Sequence, residues 1–248
     1  MMTPEQQQLL YADETGEIED IFEVQVLDAE FRGERLDALR KMLDDSSAAV
    51  RFDSLQVLVA WDEPLAVDRV LALLRERSDE LIGQGTHRLH GADTTHDQLG
   101  HALALAVSVS GSTNPALREI AGLLLEEART GFVENGLEGF ISRLGDKTLL
   151  PQLVSVIRDK RDADDVRGAG DLLPAVVALD HAAAWELIHE FSGTDYFDRL
   201  AMGVAKALER IGDSDSKVQL EALALREDLP GACHVAQRAL DKWESASS

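Results

Sequence analysis

Residues 39–74, LRKMLDDSSAAVRFDSLQVLVAWDEPLAVDRVLALL, decide the fold of this chain. Apolar residues recur at three- and four-residue spacing up to Leu43, so they line one face of a helix. The polar run 44–47 then predicts a turn, with one of its serines as the N-cap of a second helix. The Asp62-Glu63-Pro64 step ends that helix, because the residue before a proline is pushed out of the helical region. A third helix is expected to begin at about Pro64.

Two helices joined by such a short turn lie antiparallel, and each needs a neighbouring pair to cover its second apolar flank. The stretch resembles a HEAT repeat, in which LxxLLxD, a turn, VRxxAxxxL and an Asp-Pro step follow one another. The residues that carry the resemblance are Leu39, Leu43, Asp44, Val50, Arg51, Leu55, Leu58, Asp62 and Pro64. It departs from the pattern at Met42, Ser54 and Trp61, where leucine, alanine and glycine are usual. The resemblance implies a right-handed α-solenoid.

The ends of the second helices recur along the chain. The second helices are expected to end near Trp61, Ser110, Leu144, Leu179, Ile211 and Trp243, and successive ends lie about 49, 34, 35, 32 and 32 residues apart. An insertion of about 14 residues explains the first, longer spacing. The resemblance therefore extends from about Glu34 to Glu244. We predict an all-α fold, a right-handed α-solenoid of about five to six antiparallel helical pairs, as a single domain over residues 1–248. We also expect a helix break before Pro174.

Two stretches depart from the repeat. Residues 1–31 hold nine acidic side chains and no Lys or Arg, and their apolar stripes predict a pair of N-terminal capping helices, the second over 18–27. A partly disordered acidic tail is the alternative. Residues 82–97 form an insertion loop within the second repeat, and solenoids place such insertions on one face, often the face that binds.

The amino-acid composition disfavours some classes of ligand. The formal net charge of −22 disfavours nucleic acid and anionic membranes as ligands, because binding nucleic acid requires a basic footprint. It suits a basic protein partner, although solubility alone also explains such acidity. Cys233 is the single cysteine, so no intramolecular disulfide forms. No apolar run approaches the ~20 residues that span a bilayer, and no signal-peptide pattern begins the sequence, so we expect a cytoplasmic protein.

Two groups of side chains are candidates for partner binding. Acidic residues begin or line the second helices, and stacking would gather them into an acidic concave face. Helix capping explains each of them equally well. The insertion and the helix that follows hold four of the seven histidines. The candidate residues are Asp53, His87, His90, His96, Asp97, His101, Glu134, Glu138, Asp165, Asp195 and Asp198.

The histidines also raise the possibility of a metal site. Histidine and carboxylate ligate zinc or iron, but the spacing here matches no ligand pattern, so we predict no cofactor. The HEAT-like enzyme deoxyhypusine hydroxylase binds iron through several His-Glu dipeptides, and this chain has one, His189-Glu190. We predict a non-catalytic scaffold that binds a basic protein. One alternative is an immunity protein that neutralises a cationic, nuclease-type toxin. Another is a HEAT-like lyase or metal-dependent enzyme subunit that uses the His-rich insertion.

Overall fold

The computed structural model describes residues 2–85, 91–111, 114–192 and 198–246. These residues form fourteen α-helices and no β-strand, so the all-α prediction is confirmed. The helices are α1 (Pro4–Tyr11), α2 (Ile21–Gln25), α3 (Ala29–Met42), α4 (Ala48–Ala60), α5 (Pro64–Glu76), α6 (Thr95–Ser110), α7 (Pro115–Ala128), α8 (Asn135–Leu144), α9 (Leu150–Asp162), α10 (Val166–Leu179), α11 (His181–Ser192), α12 (Asp198–Ile211), α13 (Ser214–Ala224) and α14 (Pro230–Ala246). They divide into two compact units, Met1–Leu124 and Leu125–Ser248.

Helix α4 is the centre of the first unit. It packs against α1, α2, α3, α5 and α6. The run 55–60, LQVLVA, is buried throughout, which is why this helix takes the central position. The turn before α4 and the proline that begins α5 lie where the sequence predicts them. Ser47 occupies the N-cap position of α4 without a side-chain capping bond, and Asp45 instead accepts the Ser47 N–H at 2.8 Å.

The N-terminal segment is tied to the first unit by side chains that reach its backbone. Arg35 on α3 donates to the carbonyl oxygens of Ala12 and Asp13 at 2.6 and 2.9 Å. The Trp61 indole donates to the Val24 carbonyl of α2 at 3.0 Å. Helix α2 spans Ile21–Gln25 and is therefore shorter than the predicted helix over 18–27. Asp20 caps its start by accepting the Phe22 N–H at 3.0 Å.

One aspartate joins the two ends of the insertion by hydrogen bonds. Asp93 Oδ2 accepts the Gly83 N–H at 2.6 Å, and Asp93 Oδ1 accepts the Thr95 N–H at 2.9 Å. These bonds connect the segment after α5 to the start of α6. Because α6 begins at Thr95, residues 95–97 of the predicted loop are helical. Residues 86–90 lie outside the described residues.

In the second unit, α8, α10, α12 and α14 lie side by side in that order. Helix α9 packs against α10, α11 against α10 and α12, and α13 against α12 and α14. Every second helix of the unit therefore belongs to one row, and the intervening helices cover that row. This arrangement fixes which side chains of α8, α10 and α12 meet.

The predicted break before Pro174 is wrong, since α10 continues through this residue to Leu179. A proline cannot donate to the carbonyl four residues earlier, which here belongs to Gly170. That carbonyl faces Gly203 of α12, and a Cβ placed at Gly203 would come within 2.2 Å of the Gly170 oxygen. The two helices meet through their backbones at two glycines. This tight packing holds α10 in a helical conformation across the proline.

Candidate functional site

Charged side chains form a connected row on α8, α10 and α12. Arg167 of α10 pairs with Glu134 at the N-cap of α8 and lies over the Phe132 ring, 5.0 Å from its centroid. Asp171 Oδ2 lies 3.5 Å from Arg167 Nε, and Asp171 Oδ1 lies 3.7 Å from Lys206 Nζ. Burial raises the pKa of the Asp171 carboxyl, and the two cations oppose this rise. The candidate Glu134 is thus paired with an arginine of the neighbouring helix.

Glu138 has a similar environment. Its carboxylate accepts hydrogen bonds from Ser142 Oγ and from Arg210, both at 2.6 Å. Arg210 of α12 also donates to Ser142 Oγ at 2.9 Å and to the Pro174 carbonyl at 2.8 Å. The Glu138 side chain is only 13% exposed. One guanidinium group therefore links three helices, and Glu138 is part of that link.

Two further acidic candidates cap helices. Asp165 is the N-cap of α10 and also accepts from Lys160 Nζ at 2.6 Å. The Lys160 side chain is fully buried and donates to the Gly131 carbonyl at 2.8 Å. Asp198 of α12 accepts two backbone N–H groups from the first turn of α14, at 2.9 and 3.1 Å. The capping explanation weighed for these carboxylates matches their observed contacts.

Asp53 connects α4 to the N-terminal helix. Tyr11 Oη, at the end of α1, donates to Asp53 Oδ2 at 2.5 Å. Burial raises the pKa of the Asp53 carboxyl, and the hydrogen bond from Tyr11 opposes the rise. Burial and the adjacent carboxylate also raise the pKa of Tyr11. This candidate holds α1 against the centre of the first unit.

The candidates outside the described residues are His87, His90 and Asp195. Asp97 is buried in the first turn of α6, next to the partly exposed His96. His101 is exposed, and its ring meets the Phe22 ring of α2 edge to face, with centroids 5.7 Å apart. Within the described ranges, no group of three or more His, Cys, Asp or Glu side chains is arranged to hold a metal ion. The structure thus brings one predicted histidine against the N-terminal segment.

The single His-Glu dipeptide has two separate sets of neighbours. Glu190 pairs with Arg158 at 2.8 Å and with Arg161, and these hydrogen bonds lower the pKa of its carboxyl. The His189 ring stacks on Trp185 with centroids 5.5 Å apart. Glu190 is therefore neutralised by arginines and is poorly suited to ligate a metal.

A group of exposed carboxylates lies near the N-terminus. The N-terminal acidic surface consists of the exposed residues Glu14, Glu17, Glu19, Asp20, Glu23, Asp28 and Glu30. None of the seven forms a salt bridge in the part of the chain that the structure describes, although Asp28 interacts electrostatically with Arg32. The sequence predicts these residues within the N-terminal capping helices, and they are not among the candidate binding residues. The available signal was nine acidic side chains without one Lys or Arg.

A cleft of about 540 Å³ opens within this surface, between the turn at 13–16 and the first turns of α3. It is lined by Asp13, Glu14, Thr15, Gly16, Glu30, Phe31, Glu34 and Arg35. The Arg35 guanidinium is engaged by the backbone carbonyls of Ala12 and Asp13. Asp13 and Glu14 line one side of the cleft, and Glu30 and Glu34 line the other, so carboxylates outnumber the single cationic side chain. Arg35 interacts electrostatically with Asp13 and Glu34. Phe31 adds an apolar part to the lining. We call this feature the acidic cleft.

Comparisons with protein-family models, with curated proteins and with solved structures each gave no match. Among the described helices, none combines the length and the apolar character needed to cross a membrane. The function is therefore inferred from the side chains described above.

Proposed function

We propose that this protein is a non-catalytic binding module for a basic protein, and that its N-terminal acidic surface makes the contact. The observation that carries the proposal is the set of seven exposed carboxylates without a described salt bridge, of which Asp28 interacts electrostatically with Arg32. Unneutralised carboxylates attract a cationic protein over about one Debye length, roughly 10 Å at 0.1 M salt. Glu134 and Glu138 are less available to a basic partner, because arginines of this chain already pair with them.

The acidic cleft is suited to a lysine or arginine side chain of the partner. Phe31 would offer apolar surface to the aliphatic stem of such a side chain, and Glu14, Glu30 and Glu34, which line the same cleft, would pair with its charged end. The exposed surface around the cleft would steer the partner, while the cleft would hold one cationic residue.

We also propose that the helices form a HEAT-like α-solenoid of five to six pairs. The row of α8, α10, α12 and α14, covered by α9, α11 and α13, supports this arrangement in the second unit. A cationic nuclease-type toxin is one partner of the proposed chemistry, and the immunity-protein version remains a prediction. The lyase or metal-enzyme alternative also remains a prediction, because His87 and His90 lie outside the described residues.

Affinity capture with the acidic cleft neutralised would test the binding proposal. The purified protein and a Glu14→Gln/Glu30→Gln/Glu34→Gln variant are used as bait at about 50 mM and about 500 mM NaCl. We expect the wild-type protein to retain a basic protein at low salt and to release it at high salt. The variant is expected to retain at least about tenfold less of the same protein.

The matched control is Asp68→Asn/Glu76→Gln/Asp79→Asn, which removes three charges from exposed positions elsewhere in the first unit. It should retain the partner as well as the wild-type protein does. Equal loss in both variants would show that total charge, and not the cleft, determines binding. Capture that does not change with salt would contradict the proposal.

A further inference from the structure

Helix α2 presents apolar side chains to solvent. Phe22 and Val26 are 44% and 56% exposed. They lie four residues apart across the single turn of α2, where the Val26 N–H donates to the Phe22 carbonyl at 3.2 Å, so their side chains point to the same side. The opposite side of the turn is buried through Val24 and Gln25. This turn is therefore anchored on one side and uncovered on the other.

The uncovered side continues onto α6. The His101 ring meets the Phe22 ring edge to face at 5.7 Å, and His101 is itself exposed. Phe22, Val26 and His101 together form what we call the α2 face. Because a single exposed apolar residue needs no explanation, the alignment of two of them beside an exposed aromatic ring is the relevant feature.

The charges beside the α2 face restrict what can cover it. Glu19, Asp20 and Glu23 are exposed on or next to the same turn and have no ion pair with the described cationic residues. An anionic lipid surface would be repelled by them, whereas Lys and Arg would be attracted. Apolar residues flanked by carboxylates match a segment that carries apolar residues on one side and basic residues beside them.

We propose that the α2 face binds an amphipathic basic segment of the partner protein. The inference rests on the proposed function and makes it more specific. The basic residues of that segment would meet Glu19 and Glu23, and its apolar side would cover Phe22 and Val26. The acidic cleft would select a single cationic side chain, whereas the α2 face would select basic residues together with the spacing of apolar residues.

Two synthetic peptides of equal composition would test this. One places leucines on one side of a helix and lysines on the other, and the second scrambles the same residues so that no apolar side forms. The affinity of each fluorescently labelled peptide is measured by anisotropy at about 50 mM and about 500 mM NaCl. We expect the full-length protein to bind the amphipathic peptide at least about tenfold more tightly than the scrambled one.

The variant Phe22→Ser/Val26→Ser should abolish that preference while still binding both peptides weakly. Its control, Leu65→Ser/Ile82→Ser, removes two apolar residues that are 52% and 57% exposed elsewhere in the first unit, and it should keep the preference. Circular dichroism on both variants verifies that the helices persist. Shifts of the His101 ring resonances on adding the amphipathic peptide would place the contact.

The outcomes separate the inference from the proposed function. Equal, salt-sensitive affinity of both peptides for the wild-type protein would overturn the inference and leave the basic-partner proposal standing. A preference retained by Phe22→Ser/Val26→Ser would also overturn it. If neither peptide bound at low salt, both proposals would be contradicted.

Discussion

The carboxylates of the second unit and those of the N-terminal acidic surface have opposite surroundings. Glu134, at the N-cap of α8, pairs with Arg167 of α10, and Glu138, within α8, pairs with Arg210 of α12. Between residues 14 and 30, seven carboxylates face solvent without a described salt bridge, although Asp28 interacts electrostatically with Arg32. The first group connects helices, and the second group is available to another molecule. A net charge of −22 therefore says little until the charges that are already paired have been located.

The strongest test of this difference is Asp165→Ala. The change leaves the Lys160 ammonium buried without its carboxylate partner, so the free energy of unfolding should fall by about 3–5 kcal/mol. Urea denaturation followed by circular dichroism measures the loss. Glu17→Ala, on the N-terminal acidic surface, is the control and should change stability by less than about 0.5 kcal/mol. Similar losses in both variants would remove the distinction between the two regions.

Glycine contacts provide the next test. Gly203→Ala places a methyl group against the Gly170 carbonyl, so α10 and α12 must separate, and stability should fall by about 2–3 kcal/mol. Gly33→Ala in α3 meets no atom within 4 Å and should stabilise the protein by about 0.5–1 kcal/mol. Thermal unfolding of the two variants measures the expected loss of stability in the first and the expected gain in the second. A neutral Gly203→Ala would show that the two helices do not pack as closely as described.

The smallest expected effect concerns Asp53, a partly buried carboxyl of the first unit. Its pKa is higher in the folded protein than in the unfolded chain, so its ionisation costs folding free energy as the pH rises above about 3.9 through the folded-state pKa. Asp53→Asn keeps an acceptor for Tyr11 and removes that cost. The variant should be more stable than the wild-type protein at pH 7, with the difference disappearing below the unfolded-chain pKa. Urea denaturation at several pH values measures it, and a difference independent of pH would contradict this account.

The helices could be predicted from the sequence where short-range signals agree. The three- and four-residue spacing up to Leu43 and the Asp62-Glu63-Pro64 step place α3, α4 and α5 correctly. Pro174 shows the limit of such signals. Its effect on α10 depends on Gly203, which is distant in the sequence and comes close only when the helices pack. Local propensity predicts a break there, and tertiary packing overrides it.

The candidate site was harder to predict for the same reason. Acidic residues at the start of helices are visible in the sequence, but their partners are not. Arg167 and Arg210 lie 33 and 72 residues from the carboxylates that they neutralise. Spacing within one helix carries no information about such contacts. The N-terminal acidic surface could have been found, because a segment without any basic residue cannot neutralise itself.

The hydrogen bond from Trp61 to the Val24 carbonyl gives the first unit an optical property. Trp61 is the one tryptophan among residues 1–124, its side chain is almost fully buried, and Arg32 lies over its ring. The emission wavelength of an indole depends on its polarity and hydrogen bonding, so this residue senses the backbone of α2 directly. With Trp185 and Trp243 replaced by phenylalanine, the intrinsic fluorescence of the protein would report whether α2 stays in place, without any attached dye.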